Sequence, residues 1–250
     1  MNGEAAPIVE VFASFQGEGV LVGTPQVFVR FAGCDLDCLY CDTEYAKEIP
    51  EHCNIYSARG DVRKMPNPLS LDKLVAVINK ISFPDPNVEW VALTGGEPLL
   101  YPEYVAQLAS RLSEDRMLVY LETAGHLPEA LEQVIEYVDL IAGDIKLPST
   151  MKTPVAYEDI YDFWSVATDT DAFVKFVITD AVERGEIARL VMDELWEIIG
   201  PLTAVLQPCT PTATAKAPSF ELLWSLAHEA DHWFEDVRVI PQCHRLLGAK

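Results

Sequence analysis

The sequence predicts an α/β fold, a partial, open (β/α)6-type barrel around a parallel sheet. Apolar runs of strand length alternate with amphipathic stretches of helix length, an order that gives right-handed crossovers and a parallel sheet covered by helices. Roughly six such β/α units can be counted, too few for a closed eight-unit barrel. Polar motifs follow the predicted strands directly, so we expect them to share the carboxyl edge of the sheet.

Composition narrows the class of protein. Its 18 Lys and Arg against 39 Asp and Glu give a net charge of -21, which argues against nucleic acid as a partner. No apolar run approaches the roughly 20 residues of a membrane helix, and the start of the chain lacks the order of a secretion signal. We therefore expect a cytoplasmic protein without membrane contact. No linker, repeat or low-complexity tract divides the chain, which predicts one domain over residues 1–250.

The first elements in chain order lead to a cysteine-rich loop. Alternation from residue 9 predicts a strand that ends in a polar, glycine-flanked turn, and residues 26–31 predict a second, buried strand. The passage that follows as far as Pro68 is polar and shows no clear period. Ser70 is then a candidate N-cap for a helix that Pro84 and Pro86 close, with one apolar face formed by Leu71, Leu74, Val75, Ile78 and Ile81.

The rest of the chain continues the alternation of strands and helices. We predict strands over residues 88–93, 117–121, 138–142, 172–178, 203–207 and 237–240, and helices over residues 103–113, 128–137, 187–198 and 220–234. Polar groups stand at the ends of these strands, in particular a turn that begins at Thr94, then Glu122, residues 144–146 and Gln207.

The strongest motif is the loop at residues 31–43, FAGCDLDCLYCDT, which carries Cys34, Cys38 and Cys41. Three thiolates on so short a loop are expected to converge and hold an iron–sulfur or zinc centre. A structural zinc site normally has four protein ligands, which would require Cys53 as the fourth. A [4Fe–4S] cluster held by three cysteines leaves one iron free. The remaining cysteines, Cys53, Cys209 and Cys243, are interpreted as packing thiols in a reducing compartment.

The second motif is the turn at residues 94–98, TGGEP. Two glycines let the backbone approach a ligand closely, and the Glu97 carboxylate behind them can accept an amine; alternatively, the pair only makes a tight turn. In this order and spacing, the two motifs resemble the radical S-adenosylmethionine (SAM) superfamily. There the free iron binds the amino and carboxylate groups of SAM, and the glycine motif receives the amino group.

Segments at residues 15–19, 30–34, 41–46 and 242–248 extend the resemblance along the chain, to the 7-carboxy-7-deazaguanine synthase family. This resemblance implies a lyase of queuosine or archaeosine precursor synthesis. Such an enzyme contracts the ring of 6-carboxy-5,6,7,8-tetrahydropterin with loss of ammonia, using a 5′-deoxyadenosyl radical, a [4Fe–4S] cluster, SAM and Mg²⁺. It also implies a homodimer and flavodoxin or ferredoxin as electron donor.

The resemblance assigns roles to individual residues. The cluster ligands would be Cys34, Cys38 and Cys41, and the Mg²⁺ ligand Thr43. An N-terminal segment and a closing C-terminal tail would bind the substrate, through Phe15, Gln16, Gly17, Glu18, Arg30, Thr94, His244 and Lys250. SAM would contact Tyr40, Gly96, Asp144, Ile145, Lys146, Gln207, Pro208, Cys209 and Thr210.

Several of these residues have a structural alternative. Arg30 could pair only with a carboxylate such as Glu18, and Asp144 with Lys146 could form an internal ion pair. His244 could cap the last strand, and Lys250 could be a frayed terminus. Glu122 is a further candidate contact at the mouth. Three other histidines, His126, His228 and His232, are interpreted as structural or solvated, the last two within the final helix.

Two other functions remain open from the residues alone. One is a radical SAM activating enzyme that makes a glycyl radical on a partner protein. Its substrate is a polypeptide, so it would not need Gln16, Glu18, Arg30, Thr43 and His244 together. The other is a non-catalytic zinc module that uses the three loop cysteines and Cys53.

Overall fold

A computed structural model describes residues 3–57, 61–82, 88–192 and 194–250. The strands are β1 (Ala5–Ala6), β2 (Ile8–Phe15), β3 (Pro25–Phe31), β4 (His52–Tyr56), β5 (Val62–Pro66), β6 (Leu69–Ser70), β7 (Trp90–Gly95), β8 (Leu118–Thr123), β9 (Leu140–Asp144), β10 (Ala172–Ile178), β11 (Thr203–Pro208) and β12 (Asp236–Val239). The helices are α1 (Leu71–Ser82), α2 (Pro102–Glu114), α3 (Pro128–Glu132), α4 (Tyr157–Ala167), α5 (Glu186–Val191), α6 (Glu194–Ile199), α7 (Phe220–Ala230) and α8 (Cys243–Leu247).

Ten of the described strands form one mixed sheet in the order β12-β11-β10-β9-β8-β7-β3-β2-β4-β5. From β3 to β12 every neighbouring pair is parallel. Strand β2 runs antiparallel to β3, and the β4–β5 hairpin extends that side of the sheet. The strands β12 and β5 lie at opposite edges, so the sheet is not closed. The predicted partial, open barrel is confirmed.

The two faces of the sheet are buried in different ways. One face packs against the helices: in α1, for example, Leu74, Val75 and Ile78 are buried in the main core, as their helical spacing predicts. The other face, inside the curve of the sheet, carries a smaller apolar layer that consists of Phe12, Phe28, Ala92, Tyr120, Ala142, Phe173 and Val205. We call this set the inner layer.

Polar side chains stand above the inner layer. Side chains two positions apart on a strand share a face, so each inner-layer residue of a parallel strand has a polar neighbour nearer the carboxyl end. These neighbours are Arg30, Thr94, Glu122, Asp144, Lys175 and Gln207. In the antiparallel strand β2 the corresponding residue precedes Phe12 and is Glu10. The alternation of the strands therefore places a ring of polar groups at one mouth.

The structure departs from the predicted elements in several places. The helices predicted over residues 128–137 and 220–234 end at Glu132 and Ala230. The polar passage before Pro68 contains the β4–β5 hairpin, and α4 and α8 were not predicted. The helix predicted over residues 187–198 is two helices, because the backbone at Met192 is extended with ψ 158°. Pro84 and Pro86 lie outside the described residues. Among the helices that are described, none has the length and apolar character needed to cross a bilayer.

Candidate functional site

A cavity of about 410 Å³ opens at the carboxyl ends of the parallel strands. It brings together the cysteine loop, the glycine turn, the polar ring above the inner layer and the C-terminal tail. Of the residues that the sequence assigns to a site, those that line the cavity are Phe15, Gln16, Gly17, Glu18, Arg30, Cys34, Cys38, Tyr40, Cys41, Thr43, Thr94, Gly96, Asp144, Lys146, Gln207, Cys209, Thr210, His244 and Lys250. Ile145 and Pro208 do not; the Ile145 side chain is buried in the main core.

The three loop cysteines are half-buried, form no disulfide and line the cavity. The loop is held by backbone contacts: the Leu39 N–H donates to the Thr150 carbonyl at 2.9 Å, and Cys38 forms a β-bridge with Met151. Burial raises the pKa of the Cys34 thiol to about 11, so formation of its thiolate requires a positively charged partner such as iron.

The arrangement of the thiols fits a cluster rather than one ion. Among the described residues, no three His, Cys, Asp or Glu side chains come close enough to bind a single metal ion. In a [4Fe–4S] cluster each thiolate binds a different iron, which needs separated sulfurs. The fourth zinc ligand is also missing, because Cys53 is buried in the main core and does not line the cavity.

The glycine turn packs directly on the cysteine loop. Gly95 has a φ of +133°, and a Cβ on Gly96 would lie 1.8 Å from the carbonyl oxygen of Gly33, so neither position accepts a side chain. Glu97 corrects a sequence expectation. Its carboxylate does not face the cavity but is fully buried, where it accepts hydrogen bonds from Leu99 N, Thr123 Oγ1 and Ala124 N at 2.7 to 2.9 Å. The sequence prediction of an amine-binding carboxylate is therefore wrong.

Glu18 is held by two donors. Its Oε2 accepts from Lys175 Nζ at 3.1 Å and its Oε1 from Gln242 Nε2 at 2.8 Å. Burial alone would raise the pKa of Glu18, but the Lys175 ammonium and these hydrogen bonds lower it to about 2. Glu18 is thus a fixed anion.

Glu122 lies deeper in the same mouth, with its two oxygens occupied by neutral donors. Gln16 Nε2 and Thr94 Oγ1 each donate to it at 2.8 Å. Burial, together with the nearby Glu18 carboxylate, raises the pKa of Glu122, although the Lys175 ammonium opposes this. Among the described residues, no cation lies within ion-pair distance of Glu122. The two glutamates therefore differ in charge environment although both line the cavity.

The pairing of Asp144 with Lys146, considered from sequence, is present. Lys146 Nζ binds Asp144 Oδ2 and also donates to the Tyr40 hydroxyl at 3.1 Å. The Lys175 ammonium lies 3.4 Å from Asp144 Oδ1. Nearby, Gln207 Oε1 is buried with no hydrogen-bond partner in the described part of the chain. An unpaired buried acceptor on a cavity wall is what a bound ligand with hydroxyl or amine donors would satisfy.

On the opposite side, Glu10 links the first strands to the tail. Its Oε1 accepts from Arg30 Nε at 3.0 Å, and its Oε2 lies 2.6 Å from Lys250 Nζ, which also stands 3.4 Å from the centre of the Tyr56 ring. Arg30 thus pairs with Glu10 and not with Glu18, and Lys250 is not frayed.

His244 does not cap the last strand. It lies in α8 against Gly17, where a Cβ would come within 2.1 Å of its Nδ1. The tail therefore packs on the turn that follows β2. Of the other histidines, His126 Nε2 contacts Asp35 Oδ2 in the cysteine loop at 2.9 Å, and His232 lies just beyond the end of α7.

Sequence reasoning missed Glu10, Lys175 and Gln242. The first two carried a signal: each is a single charge within an otherwise apolar strand, IVEVFASF and AFVKFVI. A charge in such a strand must be paired or face a polar cavity. Gln242 had no such signal, because its role depends on where the tail folds back.

Residues 28–165 match the model of the radical SAM superfamily. The chain belongs to this superfamily, as the cysteine loop, the glycine turn and the open barrel indicate. The crystal structure of QueE from Escherichia coli has a similar fold, with a TM-score of 0.60 and 19% identity over 96% of this chain and 95% of that one. A radical SAM methyltransferase from Sphaerobacter thermophilus also shares the fold, with a TM-score of 0.57 and 15% identity over 88% of this chain and 70% of that one.

Full-length relatives define the family further. The 7-carboxy-7-deazaguanine synthase of Geobacter sulfurreducens is 37% identical over 99% of both chains. Those of Methanothermobacter thermautotrophicus and Methanopyrus kandleri are 33% and 34% identical, over 98% and 96% of this chain and 98% and 92% of theirs. The chain is a member of the 7-carboxy-7-deazaguanine synthase family.

Proposed function

We propose that this chain is a lyase that converts 6-carboxy-5,6,7,8-tetrahydropterin to 7-carboxy-7-deazaguanine with release of ammonia, as a step in 7-deazapurine synthesis. The observation that carries the proposal is the single cavity that joins the three thiols to a polar mouth of fixed charges. A small, polar molecule suits this mouth better than a polypeptide, because the tail residues His244 and Lys250 line it together with the strand ends.

Cys34, Cys38 and Cys41 would hold a [4Fe–4S] cluster, and SAM would lie beside it. When bound, the reduced cluster and SAM would supply the carbon-centred radical chemistry by which a hydrogen atom is abstracted from the substrate. The chain contributes an acceptor wall for SAM. It would be formed by Tyr40, Gly96, Asp144, Lys146, Gln207, Cys209 and Thr210, whereas Ile145 and Pro208 do not line the cavity.

The substrate would be recognised by side chains that line the mouth of the cavity. Gln16, Glu18 and Thr94 offer the paired donors and acceptors that a guanine-like edge requires, with Phe15 and Gly17 beside them. Arg30 would bind the substrate carboxylate, with its guanidinium oriented by a 3.0 Å ion pair to Glu10. His244 and Lys250 would exclude water from above.

Thr43 would provide an oxygen ligand to Mg²⁺. Its hydroxyl lines the cavity 3.8 Å from Cys41 Sγ, next to the loop that would hold the cluster. A hydroxyl oxygen suits a hard cation that keeps several waters, and an Mg²⁺ held there would meet the substrate carboxylate.

We infer one domain with an N-terminal substrate segment and a closing tail, a homodimer in the cytoplasm, and flavodoxin or ferredoxin as the one-electron donor. The exposed side of the cysteine loop, where Asp37 pairs with Lys47 at 2.6 Å, is the surface on which such a donor would dock.

Anaerobic turnover tests the function. Purified protein with a reconstituted cluster, SAM, Mg²⁺, dithionite and the pterin should give 7-carboxy-7-deazaguanine, identified by mass spectrometry, without any partner protein as substrate. Cleavage of SAM without that product would contradict the proposal. Metal analysis should find about four irons per chain with sulfide, whereas zinc alone would contradict the cluster.

A further inference from the structure

Lys175 is a buried charge whose position needs an explanation. It lies in β10, where every other residue is apolar, and only 9% of its surface is exposed. An ammonium taken out of water destabilises a fold unless it is paired well. Its side chain points to the cavity mouth, directly above Phe173 of the inner layer.

Three carboxylates, those of Glu18, Asp144 and Glu122, lie around the ammonium. Glu18 follows β2 and lies 3.1 Å from Nζ, and Asp144 ends β9 and lies 3.4 Å away. Burial alone would lower the pKa of Lys175, but Asp144, Glu18 and Glu122 raise it above its usual value, and Lys146 is the one opposing cation among them. Lys175 therefore stays charged and bridges Glu18 to Asp144.

These two carboxylates belong to different ligand sites in the proposed function. Glu18 faces the pterin and Asp144 faces SAM. Lys146 holds the other oxygen of Asp144, and Gln242 holds the other oxygen of Glu18. Lys175 is thus the described side chain that contacts a carboxylate of each site.

We propose that Lys175 is a positioning residue that couples the SAM site to the pterin site, so that each ligand binds more tightly when the other is present. This inference rests on the proposed function. A ligand that fixes Asp144 also fixes the ammonium, and the ammonium holds Glu18 in the orientation that the second ligand requires.

The test measures binding without turnover. In holoenzyme with an oxidised cluster and no reductant, calorimetry gives the Kd of the pterin with and without SAM. We expect wild-type protein to bind the pterin at least about fivefold more tightly with SAM, and by linkage the pterin should tighten SAM by the same factor. In Lys175→Met the ratio should fall to about one, since coupling free energy is lost.

Two further variants separate positioning from folding. Lys175→Met combined with Glu18→Gln removes both charges of the pair, so Glu18 is not left as a buried anion without its cation. This variant should fold with wild-type iron content yet show no coupling. Lys73→Met removes an exposed charge from α1 and should keep the wild-type ratio. Coupling that survives in either Lys175 variant, or that is absent from the wild type, overturns the inference.

The outcomes also separate this inference from the function. Wild-type protein that makes the deazaguanine while Lys175→Met retains full coupling leaves the function standing and removes the inference. Wild-type protein that binds no pterin removes both.

Discussion

At the scale of single residues, the polar ring is built by a simple rule. Each of the strands β3, β7, β8, β9, β10 and β11 has an apolar side chain in the inner layer and a polar one two positions later, as in Phe28 with Arg30 and Phe173 with Lys175. The strand motifs of the candidate site could be predicted from the sequence because their residues end strands. The partners of those residues could not, because the pairs Glu18–Lys175 and Arg30–Glu10 depend on how separate strands align.

The hydroxyl of Thr43 gives the first prediction. In Thr43→Ala the cluster should form normally, since the cysteines are unchanged, but activity should depend less on Mg²⁺ because an oxygen ligand is lost. Thr43→Ser keeps the hydroxyl and serves as the control. The measurement is the rate against Mg²⁺ concentration, and an unchanged response in the alanine variant would show that Thr43 is not a ligand.

The charge of Glu18 gives a prediction on pH. Its pKa is about 2 in the folded protein against 4.5 for the free group, so its ionisation stabilises the fold above about pH 4.5 and this contribution is lost as the pH falls towards 2. The difference in free energy of unfolding between wild type and Glu18→Gln should therefore shrink by about 1 kcal/mol from pH 7 to pH 4.

Urea unfolding at several pH values measures this difference. Glu129→Gln, an exposed change in α3, is the matched control and should show no such trend. A constant difference for Glu18→Gln would contradict the ion pair with Lys175.

The buried carboxylate of Glu97 gives a third prediction. Both oxygens accept hydrogen bonds from buried donors, and the amide of Glu97→Gln would turn one of them into a donor facing a donor. The variant should lose about 1–3 kcal/mol of stability, measured by urea unfolding. An unchanged stability would show that Glu97 does not hold the turn together. Glu103→Gln, at an acid in the first turn of α2, is the control.

At the scale of elements, the failures of sequence reasoning have different causes. The β5 strand is exposed along most of its length, so it shows no alternation to detect. The α4 helix did carry a signal, since its buried residues Ile160, Phe163, Trp164 and Ala167 have helical spacing. The break between α5 and α6 could not be seen, because the apolar period continues across it. The α8 helix is five residues long, too short for periodicity.

The tail gives the prediction that belongs to this scale. Lys250 binds Glu10 and the Tyr56 ring, so it ties the end of the described chain to β2 and β4. Lys250→Met should raise KM for the pterin about tenfold, equivalent to 1.4 kcal/mol, with little change in iron content. Steady-state kinetics measures this, with Lys80→Met of α1 as control. Unchanged kinetics would show that the tail does not cover the substrate.

At the scale of the whole molecule, the cysteine loop lies outside the main core. Its contacts to Thr150 and Met151 are made by the backbone and need no metal. Removing the iron with a chelator should therefore leave the far-ultraviolet circular dichroism signal at 25 °C unchanged. It should lower Tm by roughly 5–10 °C, which corresponds to a loss of about 2–3 kcal/mol in the free energy of unfolding for a chain of this size. Loss of the ordered signal at 25 °C would show that the cluster holds the fold.

The open sheet has one more consequence, for how copies of the chain behave when crowded. Unlike a closed barrel, it ends in two strands whose outer backbone groups could pair with another molecule and seed fibrils. Both are short: β12 carries the Asp236–Arg238 ion pair, and β5 carries Arg63 and Lys64 and ends at Pro66. Short length, charged side chains and a proline thus protect the two edge strands of the open sheet against pairing with other molecules. The barrel can therefore stay open at its mouth without exposing edges that favour aggregation.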